Sequence, residues 1–190
     1  MLSVDPPTTR AEIVAGLERL HEESTRYWSA FSTEAFFRPL GAAWSPADNV
    51  RHLTKGNRAV ARGLSLPRLF VLVAFGPSFR PSRTYAELVE TYRAALAAGG
   101  RAGRFAPSPR TPPADLEEWR EEIMRHREEA ARALVRGVER WSERALDRCR
   151  LPHPLLGRLT VREMLFFTLY HNLHHVHVVE RRKSEAAAGA

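Results

Sequence analysis

Four stretches of this chain carry apolar residues at helical spacing, and each is long enough to span a small domain. Ile13, Leu17, Leu20, Tyr27 and Phe31 mark the first, over 9–31. The second, 46–64, opens on Ser45-Pro46-Ala47-Asp48. There Ser45 can cap free N–H groups, Pro46 suits the first helical position and Asp48 can reach back. It continues through Val50, Leu53, Val60 and Leu64 until Pro67 interrupts it. The third, 115–142, carries Leu116, Trp119, Ile123, Ala130, Ala133 and Trp141 on one stripe, and the fourth, 160–182, opens on the capping box Thr160-Val161-Arg162-Glu163. Strand signals are nearly absent and no internal repeat is found. Helices with one apolar face must bury it against each other, so the expected fold is all-α: an antiparallel four-helix bundle.

Between the second and third helices lies a short helical insertion. It holds an apolar segment at 67–75, the turn GPSFRPSR and a capped helix from Thr84 to about Ala98. The sequence RAGRFAPSPRTPP follows and reads as a flexible connection. The chain divides into an N-terminal extension (1–8), the bundle (9–182) and a disordered tail (183–190). At 190 residues it can bury one real core.

No apolar run approaches the ~20 residues of a membrane helix. The N-terminus MLSVDPPTTR lacks the basic and apolar regions of a secretion signal, and the single Cys149 cannot form an internal disulfide. These features predict a cytoplasmic protein with no membrane partner. The formal charge of +7 invites a nucleic-acid reading. The arginines, however, are spread along the chain and mixed with Glu, and no helix interleaves a basic stripe with aromatics. Nucleic acid is therefore not expected as a partner.

The run LYHNLHHVHVV in the last helix carries the chemistry. His171 and His175 stand four apart and share a helical face, in a sector with Val161, Met164, Thr168 and Val178 that should look into the bundle. Two buried imidazoles side by side are costly to desolvate, and a shared metal ion removes much of that cost. His52 supplies a third ligand if the second and fourth helices run antiparallel, because all three then lie near one bundle end. Three neutral imidazoles leave coordination positions open for water or substrate. His174 reads as a supporting partner or an alternative ligand, His126 as a core-edge residue, and His177, His21 and His153 as surface or loop residues. Arg51 and Arg158 read as solvated charges. Glu-x-x-His occurs only at Glu18–His21, against a di-iron bundle, and no C-x-x-C-H supports haem.

WSPADNVRHL (44–53) resembles the second-helix motif of the DinB-like superfamily. HPLLGRLTVREML (153–165), followed by HNLHH (171–175), resembles its C-terminal signature. The resemblance implies a metal-binding four-helix bundle with His52, His171 and His175 as ligands, zinc or nickel as the ion, and often a homodimer. Relatives include enzymes dependent on low-molecular-weight thiols such as bacillithiol or mycothiol, among them S-transferases and an isomerase. The function this implies is a metal-dependent enzyme that activates a low-molecular-weight thiol, or water, toward a small-molecule substrate. Non-catalytic metal binding in a stress or interaction protein is the alternative, and a metal-dependent hydrolase a weaker one. No protein nucleophile is needed, and Cys149 is not read as one.

Overall fold

The computed structural model describes residues 2–188. Its helices are α1 (Arg10–Ser29), α2 (Thr33–Phe37), α3 (Pro46–Ser65), α4 (Arg68–Phe75), α5 (Tyr85–Ala97), α6 (Leu116–Glu139), α7 (Glu143–Arg148) and α8 (Val161–Ala188). A hairpin of β1 (Arg150–His153) and β2 (Gly157–Thr160) directly precedes α8. The four long helices form a ring in which α1 and α3 each pack on both α6 and α8. This is the four-helix bundle expected from the apolar periodicity.

Side-chain contacts fix the directions. His175 meets Asn49 while Asn172 meets Asn57, so α3 and α8 run antiparallel. Arg10 reaches Glu139 and His21 reaches Glu128, so α1 and α6 do too. The other two neighbours are parallel: Arg51 lies over Trp119 and Gly137 faces Leu64, while Gly16 faces Leu169 and Lys183 lies over the ring of Phe31, just past the end of α1. A parallel pair needs a long crossover. The insertion between α3 and α6 supplies it, a refinement that periodicity alone does not reveal.

The helix starts follow their caps. Thr9 and Glu12 form a reciprocal box on α1, and Ser45 accepts from the Asp48 amide with Pro46 in the first turn of α3. Thr160 and Glu163 form the box at α8, fully buried. Several ends differ from the sequence reading. The third long helix stops at Glu139, and Trp141 lies beyond it, buried, its indole N–H donating to the Leu64 carbonyl at 3.0 Å. That bond satisfies one of the free carbonyls at the end of α3.

Where a disordered tail was expected from 183, α8 continues to Ala188, helped by a run of helix-forming alanines and by pairing of Arg182 with Glu185. Gly189 and Ala190 lie outside the described residues, as does Met1 of the N-terminal extension. The apolar segment 67–75 is α4, with Leu69, Phe70 and Val73 exposed. No described helix is long and apolar enough to cross a membrane.

The hairpin escaped the sequence reading. Its strands are four residues each, too short to show alternation, and Pro152 argues against a strand. Leu151, Leu159 and Thr160 are the buried residues of its strands.

Candidate metal centre

Where α3 and α8 face each other the interior becomes polar: Asn49, His52, Asn57, His171, Asn172 and His175 are all buried. Ser45 and Pro46 set the start of α3, which places Asn49 and His52 three apart on its inner face. The Thr160–Glu163 box sets the start of α8, which places His171 and His175 on the facing side. The ring Nε2 atoms converge. His171 Nε2 lies 3.0 Å from that of His52 and 3.1 Å from that of His175. All three residues offer a nitrogen within 4.8 Å of the others, a spacing a single ion can bridge.

The opposite ring atoms fix the proton positions. His52 Nδ1 lies 2.8 Å from the Phe105 carbonyl, which can only accept, so Nδ1 carries the proton and Nε2 a lone pair. His175 Nδ1 lies 2.6 Å from Asn49 Oδ1. Asn49 Nδ2 donates to the Ser45 carbonyl at 2.9 Å, which fixes the amide with its oxygen toward His175. His175 Nε2 therefore also presents a lone pair. Three nitrogens meet with at most one proton among them, on His171. A divalent cation fits this donor set, and backbone or side-chain oxygens that orient a ligand's second nitrogen are what a metal-bound imidazole uses.

The surroundings keep the rings neutral. Burial drives His171 and His175 well below the usual histidine range, the neighbouring imidazoles pushing the same way. Burial also lowers His52, opposed by the Phe105 bond. Phe167 stacks on His171 with centroids 4.8 Å apart, and Trp44 lies parallel to the His175 ring at 6.1 Å. The site opens on one side into a cavity of about 380 Å³ whose lining includes Gly56, Val60, Leu96, Met164 and Phe167. Among the described residues no carboxylate lines it, and its only formally charged groups are Arg101 and Arg104, both exposed.

The other sequence candidates fall elsewhere. His174 is half-buried with its ring edge-on to Tyr92, and it lines the cavity without joining the cluster. His177 Nε2 donates to the Leu2 carbonyl, and His126 is paired loosely with Glu122. His21 is half-buried against Glu128. Arg51 pairs with Asp48 and donates to the Ser108 carbonyl, and Arg158 donates to the Phe75 carbonyl, so both are structural contacts. Cys149 is buried, which raises its thiol pKa and agrees with its not being read as a nucleophile.

Three features were not read from the sequence. Asn49 orients His175; its place three before His52 on an inward face was the available signal. His153, read as a loop residue, lines the cavity. The supposed flexible connection after α5 is pinned onto α3 by His52, by Arg51 and by Lys55, which donates to the Arg104 carbonyl.

The model of the DinB superfamily matches residues 16–179. No match was found among the curated proteins. Among solved structures the chain is similar to TT2238, described as a four-helix bundle protein, at 17% identity and a TM-score of 0.56, covering 91% of this chain and 99% of that one. It is also similar to YfiT from Bacillus subtilis, described as a probable metal-dependent hydrolase with an unusual four-helix bundle topology. That likeness has 13% identity and a TM-score of 0.58, covering 96% of this chain and 93% of that one. At such identities the likeness is one of fold.

Proposed function

The chain belongs to the DinB superfamily, and from that premise we propose that it is a metal-dependent enzyme whose site activates a low-molecular-weight thiol for transfer to a small electrophile. The observation that carries this reading is the opening of the His52–His171–His175 cluster into a cavity that, among the described residues, no carboxylate lines. A purely structural ion is normally closed off by its ligands, whereas a catalytic one keeps an open position. Hydrolysis by activated water generally uses a general base, and with no carboxylate among the described lining residues only the imidazoles of His153 and His174 stand in the cavity for that role. A divalent ion at the site, zinc or nickel in this reading, acts as a Lewis acid that lowers the pKa of a thiol so that it reacts as thiolate at neutral pH.

The residues do the rest. His52, His171 and His175 hold the ion, Asn49 and the Phe105 carbonyl orient two of the rings, and Trp44 and Phe167 keep bulk water off them. The second reading, a metal-dependent hydrolase, has its support in the description of the Bacillus subtilis neighbour.

Protein purified without a nickel column should carry about one divalent ion per chain. It should consume thiol in the presence of an aryl halide such as 1-chloro-2,4-dinitrobenzene. Chelation should stop this and re-addition of metal restore it. Metal-dependent ester cleavage without thiol consumption would favour the hydrolase, and a chain that takes up no ion would sink both readings.

Asn49→Ala should weaken metal binding by about 10–100-fold, the usual effect of losing a ligand's orienting partner. Asn49→Asp, which still accepts from His175 Nδ1, should recover much of it. Competition against a chromogenic chelator measures both. Equal affinity in Asn49→Ala and wild type would remove Asn49 from the site.

A further inference from the structure

Two glycines of α3, Gly56 and Gly63, lie on the face that carries His52, and both line the cavity. A glycine inside a helix costs about 1 kcal/mol relative to alanine, so each calls for a reason. Gly63 has one in packing: a Cβ there would come within 3.1 Å of the Leu151 side chain. Gly56 has none, because a Cβ there would meet nothing within 4 Å. What Gly56 supplies is room, one helical turn from His52. The space beside it is walled by Val60, Leu96, Met164, Phe167 and Leu155. Its volume, about 380 Å³, falls in the range of small-molecule sites.

Among the polar side chains of the wall are Asn57, Tyr92, His153, Thr168 and His174. Thr168 is spent on the Met164 carbonyl. His153 is different. Its Nδ1 accepts from the backbone amides of Leu155 at 3.2 Å and Leu156 at 3.0 Å, which fixes its proton on Nε2. That N–H has no acceptor among the described residues, and the ring lines the cavity in edge-to-face packing with Phe167, ring centroids 4.2 Å apart.

Resting on the enzymatic reading above, we propose that the electrophilic substrate is an uncharged, mainly apolar molecule that lodges beside Gly56 and presents one hydrogen-bond acceptor, such as a carbonyl, to His153 Nε2–H. The apolar wall recognises its body. This fixed donor recognises its head and sets which end faces the histidine cluster. A carboxylate on the body would be desolvated where it lies against Val60, Leu96 and Phe167; the two cations of the lining, Arg101 and Arg104, are solvent-exposed.

The probes are three molecules of one shape: benzophenone, diphenylmethane, which lacks the acceptor, and 4-benzoylbenzoate, which adds a charge. Binding to the purified chain is followed by calorimetry. Benzophenone should bind at one site. Diphenylmethane should bind about three- to ten-fold more weakly, the value of one hydrogen bond, and 4-benzoylbenzoate more weakly than either. Gly56→Leu, which fills the open space, should lose at least ten-fold in benzophenone affinity while still taking up one metal ion, and Gly56→Ala should change little.

No benzophenone binding, benzoylbenzoate as the tightest ligand, or unchanged affinity in Gly56→Leu would each overturn the proposal. If Gly56→Leu fails to fold, the three-ligand series on the wild type decides alone. Metal uptake and thiol consumption are separate readouts. Their loss with intact benzophenone binding fails the enzymatic reading, and their persistence without benzophenone binding fails only this one.

Discussion

His171→Ala is expected to bind divalent metal at least about a hundred-fold more weakly than the wild type, taking one ligand's share of the roughly 10–16 kcal/mol a structural zinc site can gain. His171 is the centre of the cluster: its Nε2 is the atom that the Nε2 atoms of both His52 and His175 approach. With it gone, two lone-pair nitrogens remain, each still oriented by its own partner, and a two-ligand site holds an ion poorly. The fold should survive, because His171 Nδ1 has no hydrogen-bond partner among the described residues and the ring packs on Phe167 and the other two imidazoles. His177→Ala is the control. Its ring, six residues along the same helix, bonds the Leu2 carbonyl, and its loss should leave metal stoichiometry at the wild-type value. Metal analysis and chelator competition across the three proteins decide it. A full metal equivalent held at wild-type affinity by His171→Ala would mean the histidines serve packing, not coordination.

That site was legible because its pattern is local on one helix and mirrored on another. The i, i+4 pair lies on an apolar sector, and a third histidine stands near the start of a helix whose capping residues announce it. Such signals survive in sequence because they belong to regular helices. What stayed hidden lives in tertiary packing. Asn49 acts through an amide whose orientation is set by the Ser45 carbonyl, and His153 through a hairpin whose strands are too short to alternate. The Phe105 carbonyl that orients His52 belongs to a Pro-, Gly- and Arg-rich stretch that composition assigns to loop, and no side-chain pattern reports where a backbone oxygen points. The parallel neighbours in the bundle were equally silent, since apolar periodicity says which face is buried and not which way the partner runs.

The second large effect concerns Glu163, read from sequence only as half of a capping box. In the structure its carboxylate is fully buried and holds the insertion onto the start of α8. It accepts from Arg80 at 2.6 and 2.9 Å, from the Arg83 side chain at 3.0 Å, and from the Arg83 and Thr160 amides at 2.9 and 3.0 Å. Burial alone would raise its pKa. The two arginines and the two amides overcome that and hold it down at about 2, against an ordinary 4.5. Because the folded value lies below the unfolded one, the stabilisation is fully present above about pH 4.5 and is lost as the pH falls toward 2. A shift of this size corresponds to about 3 kcal/mol, in line with breaking a buried ion pair. Glu163→Gln keeps the shape and removes the charge. It should therefore be destabilised by about 3 kcal/mol near neutral pH, and the gap from wild type should shrink steadily between pH 4.5 and 2 as the wild-type carboxylate protonates. Urea unfolding of both proteins across that window measures it. A gap that stays constant with pH would show that the loss in Glu163→Gln comes from shape and hydrogen bonding, and that the charge of Glu163 contributes nothing to holding the insertion in place.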